Sequence, residues 1–254
     1  MLRQLGKFFD AYLLRDIDRP LALEWRTWRV QKVSPSTVNR EDEVLKDVLG
    51  SSCPRYLAEN PLAGLPVLRT PDVETRILTP DEEFAILRVA DPIDRAAVLC
   101  GLDALMRRGS VINLQRENNH GTYLTLLNAK TGTYKVPLSR RLTLALNEIS
   151  GSSARYFETF WPQAENNLSR AFERLCRAAG VCHGRAAGGV TFHSLRHTGA
   201  SRMLAAGVDI KTVMLIGGWR DLKVLNRYLH PTDDAKRAAV ETIGSGLARS
   251  VHVY

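Results

Sequence analysis

The sequence predicts a mainly helical α+β protein of two domains, with a small antiparallel sheet set among the helices of the second. Helix-start signals stand at Ser34-Pro35 and Thr79-Pro80, where a capping residue precedes a proline that suits the first helical turn. A strand, turn and strand pattern occupies residues 123–136. A proline-rich segment, residues 59–75, separates the two helical regions and predicts the break between domains.

The first domain is expected to be helical throughout. One helical region is predicted from about Leu2 to Trp28, and a second helix begins after Ser34. Apolar residues at helical spacing give this second helix one face to bury, namely Val38, Leu45, Val48 and Leu49. Prolines at positions 61, 66 and 71 then interrupt regular structure. We therefore place the first domain at residues 1–70, a linker at 71–78 and the second domain at 79–254.

The second domain is expected to open with a helix, because Thr79-Pro80-Asp81-Glu82 has the form of a capping box. Two short strands follow, with a glycine-containing turn between them, and a third strand is possible on the pattern of the residues before them. These strands are predicted at 123–127, 134–136 and 112–116. Helices return in the last third, from about His193 to Gly207, from a cap at Asp209 to Gly217-Gly218, and from Asp221 onward.

Charge and composition indicate a globular protein with a polyanionic partner. Of its 254 residues, 44% are hydrophobic and 24% are charged, which excludes a disordered chain. The formal net charge is +8 and the sequence pI is about 9.5, a balance that favours contact with phosphate backbones. The apolar residues near the N-terminus are too few and too interrupted for a signal peptide or a membrane span. We expect a cytoplasmic protein without a membrane partner.

The four cysteines favour reduced thiols. Cys53, Cys100, Cys176 and Cys182 are scattered, and no pair has the CxxC spacing. A metal site built from Cys176, Cys182 and His183 is disfavoured, because zinc sites usually have closer pairs and a fourth ligand. No cofactor and no metal ion is therefore expected.

Two groups of residues in the last third suit chemistry on a phosphodiester. His193 and Arg196 are three residues apart and therefore lie on one face of a helix. Trp219 follows a glycine pair and precedes Tyr228 by nine residues. Each position taken alone is more often a surface or core residue than a catalytic one. Their joint occurrence in this order is what favours a functional site.

The arrangement resembles the tyrosine recombinase, or phage-integrase, family, which uses a His-x-x-Arg motif, then Gly-His or Gly-Trp, then a nucleophilic tyrosine nine residues on. Leu105-Met106-Arg107-Arg108-Gly109 is similar to the family's first arginine motif, and Lys130-Thr131-Gly132 to the turn that presents its lysine. The resemblance implies an integrase-type catalytic domain and a mobile-element enzyme. The catalytic residues that it implies are Arg107, Lys130, His193, Arg196, Trp219 and Tyr228.

The resemblance extends over the first domain. The segments 34–41 and 60–62 look like the family's helical core-binding domain, a SAM-like DNA-binding domain, and its exit. Two departures stand out. Ser110 occupies a position where the family often has an acidic residue, which affects the support of Arg107. The core-binding domain is also shorter than usual, with no arm-type DNA-binding domain expected before it.

The chemistry of phosphoryl transfer explains why these residue types belong together. Two arginines would hold the nonbridging oxygens, and a histidine and an indole would donate further hydrogen bonds. The tyrosine would attack phosphorus to form a 3′-phosphotyrosyl bond, and Lys130 would protonate the leaving 5′ oxygen. Cationic side chains would replace the metal ions of other phosphoryl-transfer enzymes, and no ATP is needed because the bond energy is conserved.

The resemblance also implies partners. They are double-stranded DNA with paired inverted half-sites, a homotetramer assembled on that DNA, and accessory DNA-bending proteins, in a nucleoid-associated location. An apolar stripe in residues 232–254 would dock on a neighbouring protomer, or else pack on its own domain. Three other functions stay open: a noncatalytic integrase-like regulator, a type IB topoisomerase, and a helix-turn-helix reader built from the helices around Gly207.

Overall fold

The computed structural model describes residues 1–70, 76–128, 132–149, 151, 153–158, 165–185, 188–222, 225, 237, 240 and 241. The chain divides into two compact units, Met1–Val73 and Glu74–Tyr254. The first is helical, and the second combines helices with one two-stranded antiparallel sheet. The predicted fold class is thereby confirmed. No helix in the described parts of the chain has the length and apolar character needed to cross a membrane.

The first unit contains three α-helices, α1 (Leu2–Phe9), α2 (Arg19–Val30) and α3 (Pro35–Ser51), and a 3-10 turn at Leu14–Asp16. The prediction of one helical region from Leu2 to Trp28 is wrong in its continuity. Asp18 has an extended backbone and its side chain accepts a hydrogen bond from the Leu21 N–H at 2.9 Å, so a new helix starts there. The predicted start of α3 after Ser34 is confirmed.

The core of the first unit combines aromatic packing with buried ion pairs. Trp25 is fully buried on α2 and lies beside Phe9 of α1. Arg26 Nε donates to Asp42 at 2.7 Å, and Arg29 forms a two-pronged pair with Glu41, also at 2.7 Å. All four charged side chains are buried. These pairs fix α2 against α3, because breaking one would leave a charge in the interior.

The second unit begins with the helix that its sequence predicts. The Thr79 hydroxyl accepts from the Glu82 N–H at 3.2 Å, and the Glu82 carboxylate accepts from the Thr79 N–H at 3.0 Å. This closes the expected capping box at the start of α4. The helices of the unit are α4 (Pro80–Val89), α5 (Pro92–Leu102), α6 (Arg108–Ile112), α7 (Arg140–Glu148), α8 (Glu165–Ala178), α9 (Phe192–Ala205) and α10 (Ile210–Gly217).

The sheet is a hairpin of β1 (Tyr123–Asn128) and β2 (Gly132–Pro137), with Tyr123 opposite Pro137. Its inward face buries Leu124, Leu126 and Val136. The third strand predicted at 112–116 is absent from the described residues, where Ile112 ends α6 and Gln115 forms only an isolated bridge. Ile112 and Leu114 are both buried, but Ile112 lies in α6 and Leu114 in the turn after it. The alternation of buried residues therefore arises here without pairing of strands.

Helix α9 approaches the end of α5 closely enough that only glycine fits at the contact. A Cβ atom on Gly199 would lie 2.0 Å from the carbonyl oxygen of Leu102 and 2.6 Å from a side-chain atom of Leu105. Leu105 itself has a left-handed backbone, with φ of 50°, which is costly for a leucine. The strained turn after α5 is therefore held directly against α9.

Polar contacts fix the other side of α9. The Thr198 hydroxyl accepts a hydrogen bond from the Leu78 N–H at 2.9 Å. Arg202 pairs with the carboxylate of Glu83 on α4, which also accepts from Arg141 of α7 at 2.6 Å. The Arg141 guanidinium continues to Asp103, the residue after α5, with Nε 2.8 Å from the carboxylate. One linked set of ion pairs therefore joins α9 to α4, to α7 and to the end of α5.

The predicted start and end of α10 are also confirmed. Asp209 caps α10 by accepting from the Thr212 N–H at 2.9 Å, and Gly218 ends this helix in the left-handed conformation. The helix predicted to carry Tyr228 and most of the tail 232–254 lie outside the described residues.

Replacement of Gly199 by alanine should destabilise the protein. Gly→Ala in a helix interior normally stabilises by about 0.5–1 kcal/mol, but here the methyl group would collide with a main-chain oxygen. We expect a loss of about 3 kcal/mol in the free energy of unfolding, measured by chemical denaturation. Ser201→Ala on the same helix is the control and should change stability by less than about 0.5 kcal/mol. A Gly199→Ala protein as stable as wild type would contradict the close contact.

Candidate active site

The first turn of α9 carries His193 and Arg196 with opposite exposure. Thr191 precedes the helix, and its N–H donates to the Ser194 hydroxyl at 2.9 Å. Phe192 and Leu195 are buried in the core and orient the turn. His193 is exposed, whereas Arg196 is only 1% exposed. The His193 ring meets the His197 ring edge to face, with centroids 4.5 Å apart.

The Arg196 guanidinium is held by main-chain oxygens and by an indole ring. Nη2 donates to the carbonyl of Gly217 at 2.7 Å, and Nη1 donates to the carbonyl of Leu105. The guanidinium carbon lies 3.8 Å from the centroid of the Trp219 ring, a cation–π distance. Arg196 thereby joins three segments that are far apart in sequence, the turn after α5, the start of α9 and the end of α10.

A second cation lies near this buried one. Burial, and after it the positive charge of Arg107, lower the pKa of Arg196 to about 9, while Tyr134 acts in the opposite direction. A pKa of about 9 still leaves the guanidinium protonated at neutral pH. The buried charge of Arg196 therefore lies within electrostatic reach of a second, exposed positive charge, which favours an anion beside them.

The turn at the end of α10 folds Trp219 onto Arg196. Gly218 has a left-handed φ of 62°, and the Trp219 N–H donates to the carbonyl of Met214 at 3.0 Å. A Cβ atom on Gly217 would lie 2.0 Å from the Trp219 ring, and one on Gly218 would lie 2.8 Å from the Tyr134 ring. The glycine pair is needed because the indole and the phenol both pack directly on its backbone.

Tyr134 is a site residue that the motif pattern does not reveal. It lies on β2, two residues before buried Val136, so both side chains face inward. Burial raises the pKa of the Tyr134 hydroxyl, and the charges of Arg196 and Arg107 oppose that rise. Strand alternation predicts its inward direction, but only the tertiary structure places it beside the arginines.

Arg107 and His193 line one cavity of about 660 Å³. Arg107 is exposed and caps α6 with an extended backbone. The cavity is rich in cationic and hydroxyl side chains, and its described lining consists of Arg107, Arg108, Gly109, Ser110, Ser169, His183, Arg185, Thr191, Phe192 and His193. The sequence signals identified Arg107 and His193 but gave no reason to include Ser169 of α8 or Arg185.

The six predicted site residues fall into three groups. Arg196 and Trp219 are in contact, and Arg107 and His193 line the cavity. Lys130 and Tyr228 lie outside the described residues.

Among the described residues, no group of three or more His, Cys, Asp or Glu side chains could hold a metal ion. None of the four cysteines forms a disulfide; Cys100 and Cys176 are buried, Cys53 is half-buried and Cys182 is exposed.

Comparison with known proteins identifies the family. Residues 76–235 match the model of the phage integrase family. The integrase of Escherichia phage 186 is 28% identical over 246 residues, covering 93% of this chain and 69% of that protein. Tyrosine recombinase XerA of Pyrococcus horikoshii is 28% identical over 177 residues, covering 65% of this chain and 60% of that protein.

The fold is similar to that of a lambda integrase chain in the structure of a lambda integrase tetramer bound to a Holliday junction. The TM-score is 0.73 and the sequence identity is 19%. The match covers 89% of this chain and 68% of the lambda integrase chain. The chain spans between 60% and 69% of the length of the curated relatives that align with most of it. Because the family model covers more than half of the sequence and the fold agrees, the chain belongs to the phage integrase family, the tyrosine recombinases, a family of DNA breaking-and-rejoining enzymes.

Proposed function

We propose that this protein is a site-specific DNA recombinase that cleaves and rejoins DNA through a 3′-phosphotyrosyl intermediate. The observation that carries the proposal is the contact of Arg196 with Trp219, with Arg107 close enough for its charge to lower the pKa of Arg196. These three positions come from separate motifs, and the second unit brings them to one place. Such a concentration of positive charge suits a phosphate whose charge increases in the transition state.

The arginines have different parts in this proposal. Arg107 is exposed and lines the cavity, so it would meet the scissile phosphate directly. Carbonyl groups accept from two of the five N–H donors of Arg196, and in this proposal others would donate to the nonbridging oxygens. His193 and the indole N–H of Trp219 would add further donors. Because Arg196 is buried, its charge would act through a low dielectric and need little reorganisation.

The proposed chemical step is an in-line displacement at phosphorus. The Tyr228 oxygen attacks, and the bond from phosphorus to the 5′ oxygen breaks. The phenol proton passes toward His193, and the 5′ oxygen takes a proton from Lys130. The phosphotyrosyl bond conserves the energy of the broken bond, so a 5′-hydroxyl from a second DNA strand can reverse the step without ATP. No metal ion is required, because arginine and lysine provide the positive charge.

Double-stranded DNA is the proposed substrate, and assembly on it would be tetrameric. The net charge of +8 supports a DNA partner, as does the similarity to an integrase described as a tetramer bound to a Holliday junction. The first unit would serve as the core-binding domain that contacts the duplex beside the cleavage site. Residues 232–254 would dock on a neighbouring protomer, paired inverted half-sites would direct the assembly, and accessory proteins would bend the DNA.

Two other functions give different results in the same assay. A noncatalytic DNA-binding regulator would form no covalent adduct, and the filled set of six motif positions argues against it. A type IB topoisomerase would relax plasmid DNA that lacks any recombination site. The assay is therefore adduct formation on a randomised pool of nicked duplexes, followed by sequencing of the joined DNA, with plasmid relaxation measured in parallel.

Tyr228→Phe should abolish the covalent adduct and leave DNA affinity nearly unchanged, because the ring stays and only the nucleophilic oxygen is lost. Adducts resistant to SDS and heat are measured by gel, and affinity by titration. The matched control is Tyr56→Phe, which alters an exposed tyrosine and should keep wild-type adduct formation. Cleavage by the Tyr228→Phe protein at the wild-type rate would remove this residue from the mechanism.

Cleavage should proceed in EDTA and without nucleotide. The reason is that fixed side-chain cations would supply the charge that Mg²⁺ supplies in other phosphoryl-transfer enzymes. Single-turnover cleavage rates are measured with excess EDTA and with excess Mg²⁺, and we expect them to agree within about twofold, less than 0.5 kcal/mol in the barrier. A strict metal requirement for the chemical step would contradict the proposal.

Lys130→Ala should cleave normal DNA at least about 100-fold more slowly, in the range of general acid catalysis. Sulfur at the bridging 5′ position should restore most of the rate, because a thiolate leaves without protonation. The control on the same hairpin is Lys135→Ala, whose ammonium lies over the Tyr123 ring at 4.7 Å. That variant should cleave both substrates at nearly the wild-type rate. If sulfur gives Lys130→Ala no relative rescue, Lys130 is not the general acid.

A further inference from the structure

The cavity beside the site holds more positive charge than cleavage of one phosphate uses. Arg107 and His193 belong to the proposed mechanism, but Arg108, Arg185 and His183 line the same cavity. None of the described residues that line it is acidic. Ser110 contributes a hydroxyl where the family often has a carboxylate, so this position adds no negative charge. Arg108 and Arg185 are therefore cationic side chains of this cavity that the proposed mechanism does not use.

The adjacent residues Arg107 and Arg108 lie near different parts of the cavity. The charge of Arg107 is felt by Arg196 and by Tyr134, which places it near the end of α10. The Arg108 guanidinium donates to the Ser169 hydroxyl of α8, with Nη1 2.6 Å from Oγ. The Arg108 side chain therefore points toward α8, whereas the charge of Arg107 acts on Arg196 and Tyr134.

His183 and Arg185 extend the part of the cavity near α8. The His183 ring packs edge to face on Phe172 of α8, with ring centroids 6.1 Å apart. Arg185 follows two residues later and is exposed. The Ser169 contact holds the Arg108 side chain against α8, and the Phe172 contact holds the His183 ring against the same helix, two residues before Arg185.

We propose that Arg108 and Arg185 bind a second DNA phosphate, the one next to the scissile phosphate on the cleaved strand. This inference rests on the proposed function, which places the scissile phosphate at Arg107. Successive phosphates of one strand are separated by about 3.4 Å along the helix axis, and a cavity of about 660 Å³ falls in the range of about 300–1,000 Å³ that accepts drug-sized ligands. Two neighbouring phosphates with their sugar are of that size.

A second phosphate contact would set the register of the strand. One phosphate held by Arg107 leaves the strand free to rotate and slide, whereas two held phosphates fix its direction. Arginine suits this task, because its planar fork can hold two oxygens of one phosphate. Ser169 keeps the Arg108 fork oriented before DNA binds, so less conformational entropy is lost on binding.

The test replaces single phosphates by uncharged methylphosphonates. A duplex is first selected by binding to the Tyr228→Phe protein, so its choice does not depend on cleavage. Binding of Arg107→Gln, Arg108→Gln and Arg185→Gln versions of that protein is then measured on duplexes neutralised at one phosphate each. The control is Arg88→Gln, which removes an exposed positive charge of α4 that does not line the cavity.

The expected result is a pair of adjacent sensitive phosphates. Neutralising either one should weaken binding by about tenfold, the loss of one charge-assisted contact. At one phosphate, neutralisation should no longer weaken the binding of Arg107→Gln. At its neighbour, neutralisation should weaken the binding of Arg108→Gln and of Arg185→Gln by less than about twofold. Arg88→Gln should keep both effects. On an unselected duplex, Arg108→Gln should reduce the slope of log affinity against log salt by about 0.9, and Arg88→Gln should reduce it less.

Two results would overturn the inference. In the first, neutralisation of one and the same phosphate loses its effect on binding in both Arg107→Gln and Arg108→Gln. In the second, no phosphate loses that effect in Arg108→Gln, and the slope of log affinity against log salt stays at the wild-type value. Failure of the proposed function looks different. In that case the wild-type protein forms no covalent adduct on the selected duplex, although the two adjacent phosphates still respond to different arginines.

Discussion

Burial of the Arg196 charge is the constraint around which the site of the second unit is arranged. Removing a guanidinium from water costs several kcal/mol even after the protein relaxes. Two main-chain carbonyls and the face of Trp219 offset that cost, since a hydrogen bond to a charged group contributes about 1.5–3 kcal/mol and a desolvated cation–π contact about 2 kcal/mol. Loss of any one of the three groups would leave more of that cost uncompensated.

Those three groups come from segments that other contacts must hold. The Leu105 carbonyl is presented by a left-handed turn that lies against Gly199 of α9. The Gly217 carbonyl and Trp219 belong to the end of α10, which packs on Tyr134 of the hairpin. On its other side, α9 is fixed through Arg202 and the carboxylate of Glu83. The geometry around one guanidinium therefore depends on contacts spread through much of the unit.

Local signals predicted the parts of the fold that local interactions determine. The capping box at Thr79, the helix start after Ser34, the cap at Asp209 and the hairpin were predicted because neighbouring residues alone decide them, although the Ser34 side chain forms no capping hydrogen bond. The break at Asp18 was missed, since apolar spacing continues on both sides of it. The extra strand at 112–116 was predicted wrongly, because alternating burial arises there from a short helix and a turn.

The site divides in the same way. Motif spacing selected His193, Arg196, Trp219 and Arg107, but it could not reveal that Arg196 is buried and His193 exposed. Tyr134, Ser169 and Arg185 carry no motif, and only tertiary contacts bring them to this region. The close approach at Gly199 depends on Leu102, nearly one hundred positions away along the chain, so no local pattern could predict it.

The two hydrogen bonds from the Arg196 terminal nitrogens to carbonyls have an evolutionary consequence. Leu105 and Gly217 contribute backbone oxygens, so a change of side chain at either residue does not delete the acceptor. Substitution at these places is limited instead by the left-handed backbone and burial of Leu105 and by the Trp219 ring packed on Gly217. A residue that tolerates this turn and fills the same buried space could therefore replace Leu105 and leave the arginine anchored, whereas Arg196 itself has no equivalent substitute.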